Sequence, residues 1–391
     1  MKTLKARKNQ NNEQLPIENG KRTFRLSIIF AITVIGLMVL RAIFANLVMS
    51  DNVSSWVFSF AMQVGVMGIV PLGLYKIMIK GSNQELIHDF KLNVKLSPNV
   101  YAMAFIIGIC MYIVNSGVSG LWYNFLTAIG YQYPNPVGVL YRTPEILVME
   151  IITTCMLPAI FEEISDRGLL LSIFRDKTDR FKIILIGLSF GVLHQNVPQL
   201  MPAAVAGLIL TFVAVKSGSI VPAMIIHFMN NFLVTITNYA EQKTDGFSRF
   251  ISSLESSMYS SSINFLIAIV GAALILGFLL RQFKVQARPK REEIDGPGAG
   301  VATIRITPAP SQARELLEVY GPEVLTEEEK KQITLEIVQA VQKAKQLHFK
   351  NAVKNGGVKA VMLQTEYLPV LIALVGAGIF TILTFVFRFR P

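Results

Sequence analysis

The chain is poor in charge and in cysteine, and each shortage narrows what it can be. Only 16% of its 391 residues are charged, against 52% hydrophobic, and the mean hydropathy is +0.47. That balance excludes an ordinary soluble protein. The two cysteines, Cys110 and Cys155, both lie in apolar segments and read as buried small hydrophobes, so neither a disulfide framework nor a redox compartment follows from them. No internal repeat and no nucleotide-binding glycine motif occurs. The apolar runs lack the dyad alternation of lipid-facing strands, which excludes a transmembrane β-barrel. The first run is longer than the ~7–15 residues of a signal-peptide core and has no small-residue cleavage site, which excludes a cleavable signal.

What the chain does have is a series of apolar stretches near the ~20 residues a helix needs to cross ~30 Å of hydrocarbon. They fall at 26–49, 55–79, 97–117, 144–172, 182–196, 199–215, 219–237, 262–283 and 368–387. The expected fold is therefore all-α, a multi-pass membrane protein with about eight core helices and a ninth span at the C-terminus.

The formal charge of +11 does not indicate nucleic acid, because the basic residues are placed by connection. Lys2, Lys5, Arg7, Lys8, Lys21, Arg22 and Arg25 precede the first span, and Lys76, Lys80, Lys91 and Lys95 follow the second. Arg175, Lys177, Arg180 and Lys182 separate the fourth and fifth, Lys216 follows the sixth, and Arg281, Lys284, Arg288, Lys290 and Arg291 follow the eighth. Every second connection is basic, the pattern of cytoplasmic loops. A cytoplasmic N-terminus follows, in the cell membrane if the source is bacterial. Arg388 and Arg390 break the pattern if 368–387 spans.

Four regions are expected: a basic tail over 1–25, a membrane core over 26–283, an extension over 284–366 and a membrane helix over 367–391. The extension opens with a charged, Gly/Pro-rich linker at 287–300, followed by a candidate strand at 301–307. Thr326 with Glu327, Glu328 and Glu329 marks a helix start, and Ile333, Ile337, Val341, Ala344 and Leu347 share one face of that helix. This cytoplasmic, helix-rich segment is the candidate surface for a partner protein.

Three clusters place polar groups where lipid would otherwise be: Glu162, Glu163, Asp166 and Arg167; Phe190 and His194; His227 and Asn231. A charge at the bilayer centre costs roughly 2.5–3.5 kcal/mol even on the lenient insertion scale. Glu163 and Arg167 are four apart, in the favourable acid-first order, and are expected to pair. Glu162 and Asp166 are also four apart, so two acids can share a side. Counted from the basic loops, Glu162, His194 and His227 lie about 16–20 Å deep at 1.5 Å per residue, a shared level that argues for one site. Pro158 is expected to kink the fourth span. Gly168, Gly187 and Gly207 read as close-packing positions. Arg41 and Glu150 have no partner identifiable from sequence and are expected at interfaces or snorkelling.

In order and spacing these residues resemble the CPBP intramembrane proteases, which include the type II CAAX prenyl endopeptidases and bacteriocin-processing proteins. The family pattern EExxxR, FxxxH, HxxxN is filled by Glu162-Glu163-Arg167, Phe190-His194 and His227-Asn231, within residues 140–240. The resemblance implies an all-helical membrane core that hydrolyses a peptide bond of a membrane-associated or lipidated peptide. It implies that Glu162 and His194 activate water, that His227 and Asn231 hold the oxyanion, and that Glu163 and Arg167 position Glu162. Asp166 departs from the family, which commonly has an apolar or aromatic residue there. The cofactor is left open: none, or zinc held by Glu162, His194 and His227, since three N/O ligands with one open position form a catalytic zinc shell. The competing function is a non-catalytic membrane scaffold regulating a cell-envelope enzyme or sensor, with a transporter third.

Overall fold

The computed structural model describes residues 2–45, 52–131, 139–141, 143–287 and 365–386. Among these the secondary structure is entirely helical: α1 (Lys2–Ala45), α2 (Val53–Ile79), α3 (Asn83–Asp89), α4 (Pro98–Ala128), α5 (Pro144–Ile173), α6 (Asp179–Leu193), α7 (Val197–Ser217), α8 (Val221–Ala240), α9 (Gly246–Tyr259), α10 (Ser262–Gln286) and α11 (Leu368–Val386). Local chemistry fixes the starts. Proline occupies the first turn of α4, α5, α7 and α8, where its missing N–H costs nothing. Ser82 and Glu85 form a capping box on α3, and the side chains of Thr178, Asp245 and Ser261 cap α6, α9 and α10. α7 ends on Gly218 at φ 67°, the left-handed stop glycine allows.

The chain is a polytopic helical membrane protein. Among the described residues, six helices are long and apolar enough to cross a membrane: Gly20–Phe44, Val53–Ile79, Pro98–Ala128, Pro144–Ile173, Val197–Ser217 and Ser262–Gln286. Their outward surfaces are apolar, with Leu274 71% and Leu121 74% exposed, as lipid-facing positions require. The count is lower than the eight core spans expected, for local reasons. α6 has 15 residues, about 22 Å at 1.5 Å per residue, because the chain turns at His194 rather than running on to 196. α8 carries His227, Asn230 and Asn231, which dilute its hydropathy. The apolar part of α11 is Leu368–Leu383.

Two further helices lie in stretches read as connections. α3 follows α2, and α9 is amphipathic, with Phe247, Phe250 and Leu254 exposed along one stripe. The chain divides into two compact units, Met1–Glu293 with Tyr367–Pro391, and Ile294–Glu366. In the first unit α11 packs against α1 and α6; Tyr367 donates to Asp176 at 2.8 Å and stacks on Phe174. The strand expected at 301–307 and the helix expected from Thr326 lie outside the described residues.

Helices α6 and α7 form the tightest pair. A Cβ on Gly187 would collide with the backbone of Leu208, and one on Gly207 with the carbonyl of Gly187. The small residues therefore let backbone meet backbone, and this contact brings α7 within reach of the polar residues of α5.

Candidate active site

The α5 helix is irregular where it carries its charges. A π-helical stretch at Ile151–Met156 precedes Pro158, and another at Ile164–Leu170 follows the acids, leaving Leu157–Glu163 as regular α-helix between them. Wide turns relieve the proline clash and re-aim side chains, and such stretches recur at functional sites. The expected disturbance at Pro158 is therefore present as two wide turns.

Arg167 and Glu163 pair as their spacing predicts, with Nη1 to Oε1 at 2.9 Å and both side chains fully buried. The guanidinium is held on all sides. Nε donates to Thr211 Oγ1 and Nη2 to the Gly207 carbonyl, both at 3.4 Å, and Cζ lies 4.2 Å above the Phe190 ring. Glu163 Oε1 also meets His227 Nδ1 at 3.0 Å. That contact puts a proton on Nδ1 and turns Nε2 of His227 toward Glu162, 3.9 Å from its Oε2.

Glu162 is held from a helix the motifs do not include. Gln63, in the π-helical stretch Ala61–Ile69 of α2, donates from Nε2 to Glu162 Oε1 at 2.7 Å. Oε2 of Glu162 is buried with no hydrogen-bond partner. One carboxylate oxygen is thus fixed and the other is left to face His227.

Phe190 is the hub. His194 meets its ring edge-on at 4.7 Å and His227 at 5.7 Å, while Arg167 covers its face. His194 itself sits just past the C-terminus of α6, with Nδ1 2.7 Å from the Phe190 carbonyl. Donation from Nδ1 satisfies a carbonyl that the helix end leaves free, and leaves Nε2 as the ring's acceptor in the neutral tautomer. Glu162, Arg41 and His227 are the ionisable groups that act on this ring.

Asn231, one turn beyond His227, donates from Nδ2 to the Thr154 carbonyl at 3.0 Å and accepts from Asn230 Nδ2 at 3.1 Å. Its second N–H is uncommitted. Thr154 lies in the first wide turn of α5, so the π-helical geometry anchors the amide.

Asp166 is buried. Its nearest cation is Arg167, with Nη1 3.9 Å from Oδ2, and Oδ1 has no partner. Glu150 is also buried and accepts from the indole of Trp56 at 2.8 Å, so its partner lay on α2. Gln63 was the residue most visible in retrospect, a lone amide inside the apolar run 55–79.

No group of three or more His, Cys, Asp or Glu side chains that could hold a metal ion occurs among the described residues.

The fold and the site together define an integral helical membrane protein with a buried acid–histidine constellation. Residues 144–233 match the family model described as type II CAAX prenyl endopeptidase Rce1-like. No curated protein and no solved structure gives a match. Glu162, Glu163, Asp166, Arg167, His194, His227 and Asn231 fall inside the matched segment; Arg41 and Gln63 fall outside it.

Proposed function

We propose that the protein is an intramembrane endopeptidase that cleaves a membrane-associated or lipidated peptide by direct attack of water. The observation that carries the reading is the divided state of Glu162: Oε1 is fixed by Gln63, and Oε2 is unpartnered 3.9 Å from His227 Nε2. A carboxylate so held can take a proton from a water molecule as the oxygen attacks the peptide carbonyl carbon. His194 Nε2, with its proton on Nδ1, is the second acceptor that orients that water.

The tetrahedral intermediate then carries an oxyanion. The uncommitted N–H of Asn231 is one donor for it. His227 is the other only if it carries both protons, since its Nδ1–H is committed to Glu163. Collapse breaks the C–N bond, and the proton on Glu162 passes to the departing amine. Glu163 and Arg167 act at one remove, by fixing the ring of His227. No step runs through a metal. The reading keeps the basic ends of the helices, and the N-terminus, in the cytoplasm.

The test is incubation of the purified full-length protein with a pool of lipidated and leader peptides, read by mass spectrometry beside Glu162→Ala. New termini in the wild-type reaction alone support the reading. No cleavage by either protein contradicts it and favours the scaffold function. Adding a chelator and then zinc during the same assay tests the metal, and unchanged activity is expected.

A further inference from the structure

Arg41 lies on α1, outside the family-matched segment, and its level in the bundle is well fixed. Gly36 packs against Val66, Leu37 clusters with Met62 and Met67, and the ring of Phe44 meets that of Phe58 at 4.9 Å. Arg41 therefore stands opposite the wide turn of α2 that delivers Gln63 to Glu162. Its Nε is buried with no hydrogen-bond partner although the residue as a whole is half-buried, and none of the ion pairs among the described residues includes it. Glu162 is the acid whose charge acts on it, and Arg41 acts in turn on His194.

A guanidinium whose Nε is buried without a partner is costly, and its planar fork of N–H donors matches a carboxylate better than any other common group. Arg167 illustrates the satisfied alternative: its nitrogens meet Glu163, Thr211 and Gly207. Arg41 has nothing equivalent, although it neighbours both groups assigned to water activation. A purely structural cation would be paired as Arg167 is, and a counter-charge for Glu162 would touch it.

We propose that Arg41 is the anion-recognition residue of this site, receiving a carboxylate of the bound peptide close to the scissile bond. The proposal rests on the endopeptidase reading for the peptide and adds the charge that the peptide must carry. The carboxylate has two sources, the C-terminus or an acidic side chain. Arg41 is a recognition residue and takes no part in proton transfer.

The experiment uses full-length protein in detergent and three fluorescent S-farnesylated peptides. One ends Cys-Val-Ile-Met with a free carboxylate, one is its carboxamide, and one is a carboxamide with Glu as the last residue. Binding is measured on the Glu162→Gln variant, where cleavage does not interfere, and cleavage on the wild type. A charged hydrogen-bonded contact corresponds to about tenfold or more in affinity, so at least one anionic peptide should bind about tenfold tighter than the plain carboxamide. Which one does so identifies the source. Adding Arg41→Gln should bring the ratio to within about twofold by weakening the anionic peptide alone, and Arg41→Lys should retain part of it.

Three results overturn the proposal: no charge preference before Arg41 is changed, a preference that survives Arg41→Gln, or equal weakening of all three peptides. The first needs no Arg41 variant, so a misfolded Arg41→Gln does not shield the idea. Charge-selective binding without wild-type cleavage would sink the endopeptidase reading and leave anion recognition standing. Cleavage without charge preference would do the reverse.

Discussion

At Asp89 the carboxylate accepts from Arg22 Nη2 at 2.5 Å and from the Tyr75 hydroxyl at 2.7 Å, while its backbone carbonyl accepts from Ser172 Oγ at 2.5 Å. At Glu162, some of the strongest polar atoms have no partner: Glu162 Oε2, Glu163 Oε2, Asp166 Oδ1, Gln63 Oε1, Ser165 Oγ and Arg41 Nε. Both clusters join α1, α2 and α5 or their ends. The first is a clasp whose groups satisfy one another, tying the α3 loop to three helices. Buried polar groups are ordinarily bonded, so a concentration of unsatisfied ones marks the place where stability has been set aside for another task. The two clusters should therefore respond differently to substitution.

The largest expected effect is on Arg167. Arg167→Ala removes the partner of Glu163 and the cation stacked on Phe190, and should cost about 3–5 kcal/mol, the range for a broken buried pair. Thermal unfolding in detergent checks this beside Glu163→Gln/Arg167→Ala, which should recover part of the loss. A double variant no more stable than the single one would show the pairing to be unimportant. Asp89→Ala comes next. It strips the clasp of its acceptor and should cost about 2 kcal/mol, the scale of charged hydrogen bonds, with no change in kcat for any peptide that is cleaved. A fall in kcat at unchanged stability would erase the distinction between clasp and site.

Much of this comparison was legible in the sequence, and the illegible part has a physical pattern. The helices were visible because apolar runs of the right length leave few other folds. The Glu163–Arg167 pair was visible because four-residue spacing is local. Gln63 was visible as a lone amide in an apolar run, but its partner was not, because the bond to Glu162 spans 99 positions and exists only once α2 lies against α5. Nor were the wide turns of α2 and α5, since their hydrogen bonding depends on how neighbouring helices pack. α6 was read too long because the apolar pattern runs past the point where His194 caps the helix. α9 was missed because half its residues are serine or other polar types, leaving its apolar stripe too sparse to stand out.

A smaller effect is expected at Asp166, with the opposite sign. Its Oδ1 has no partner and its nearest cation among the described residues lies 3.9 Å away, so Asp166→Asn should raise stability by about 1 kcal/mol. A loss of stability would mean that Asp166 works as a bound anion of Arg167. Smallest of all is the exposed pair of Lys216 and Asp179, 2.7 Å apart. Partial burial opposes ionisation of Asp179, but Lys216 and Lys182 outweigh it and hold the carboxyl below its ordinary range. A depressed acid contributes stability above its unfolded value of about 3.9, and that contribution disappears as pH falls through the folded value. Lys216→Ala should therefore cost less than about 1 kcal/mol at pH 7, with the difference from wild type vanishing in strong acid. A difference that persists there would assign the effect to packing of the lysine stem.

The most direct test of the contrast between clasp and site is Glu162→Gln, assayed for peptide cleavage and thermal unfolding in the same preparation. The amide keeps the shape and can still meet Gln63, but it cannot take a proton from water. The account predicts an unfolding temperature close to that of the wild type, together with complete loss of cleavage; full activity in Glu162→Gln would contradict it.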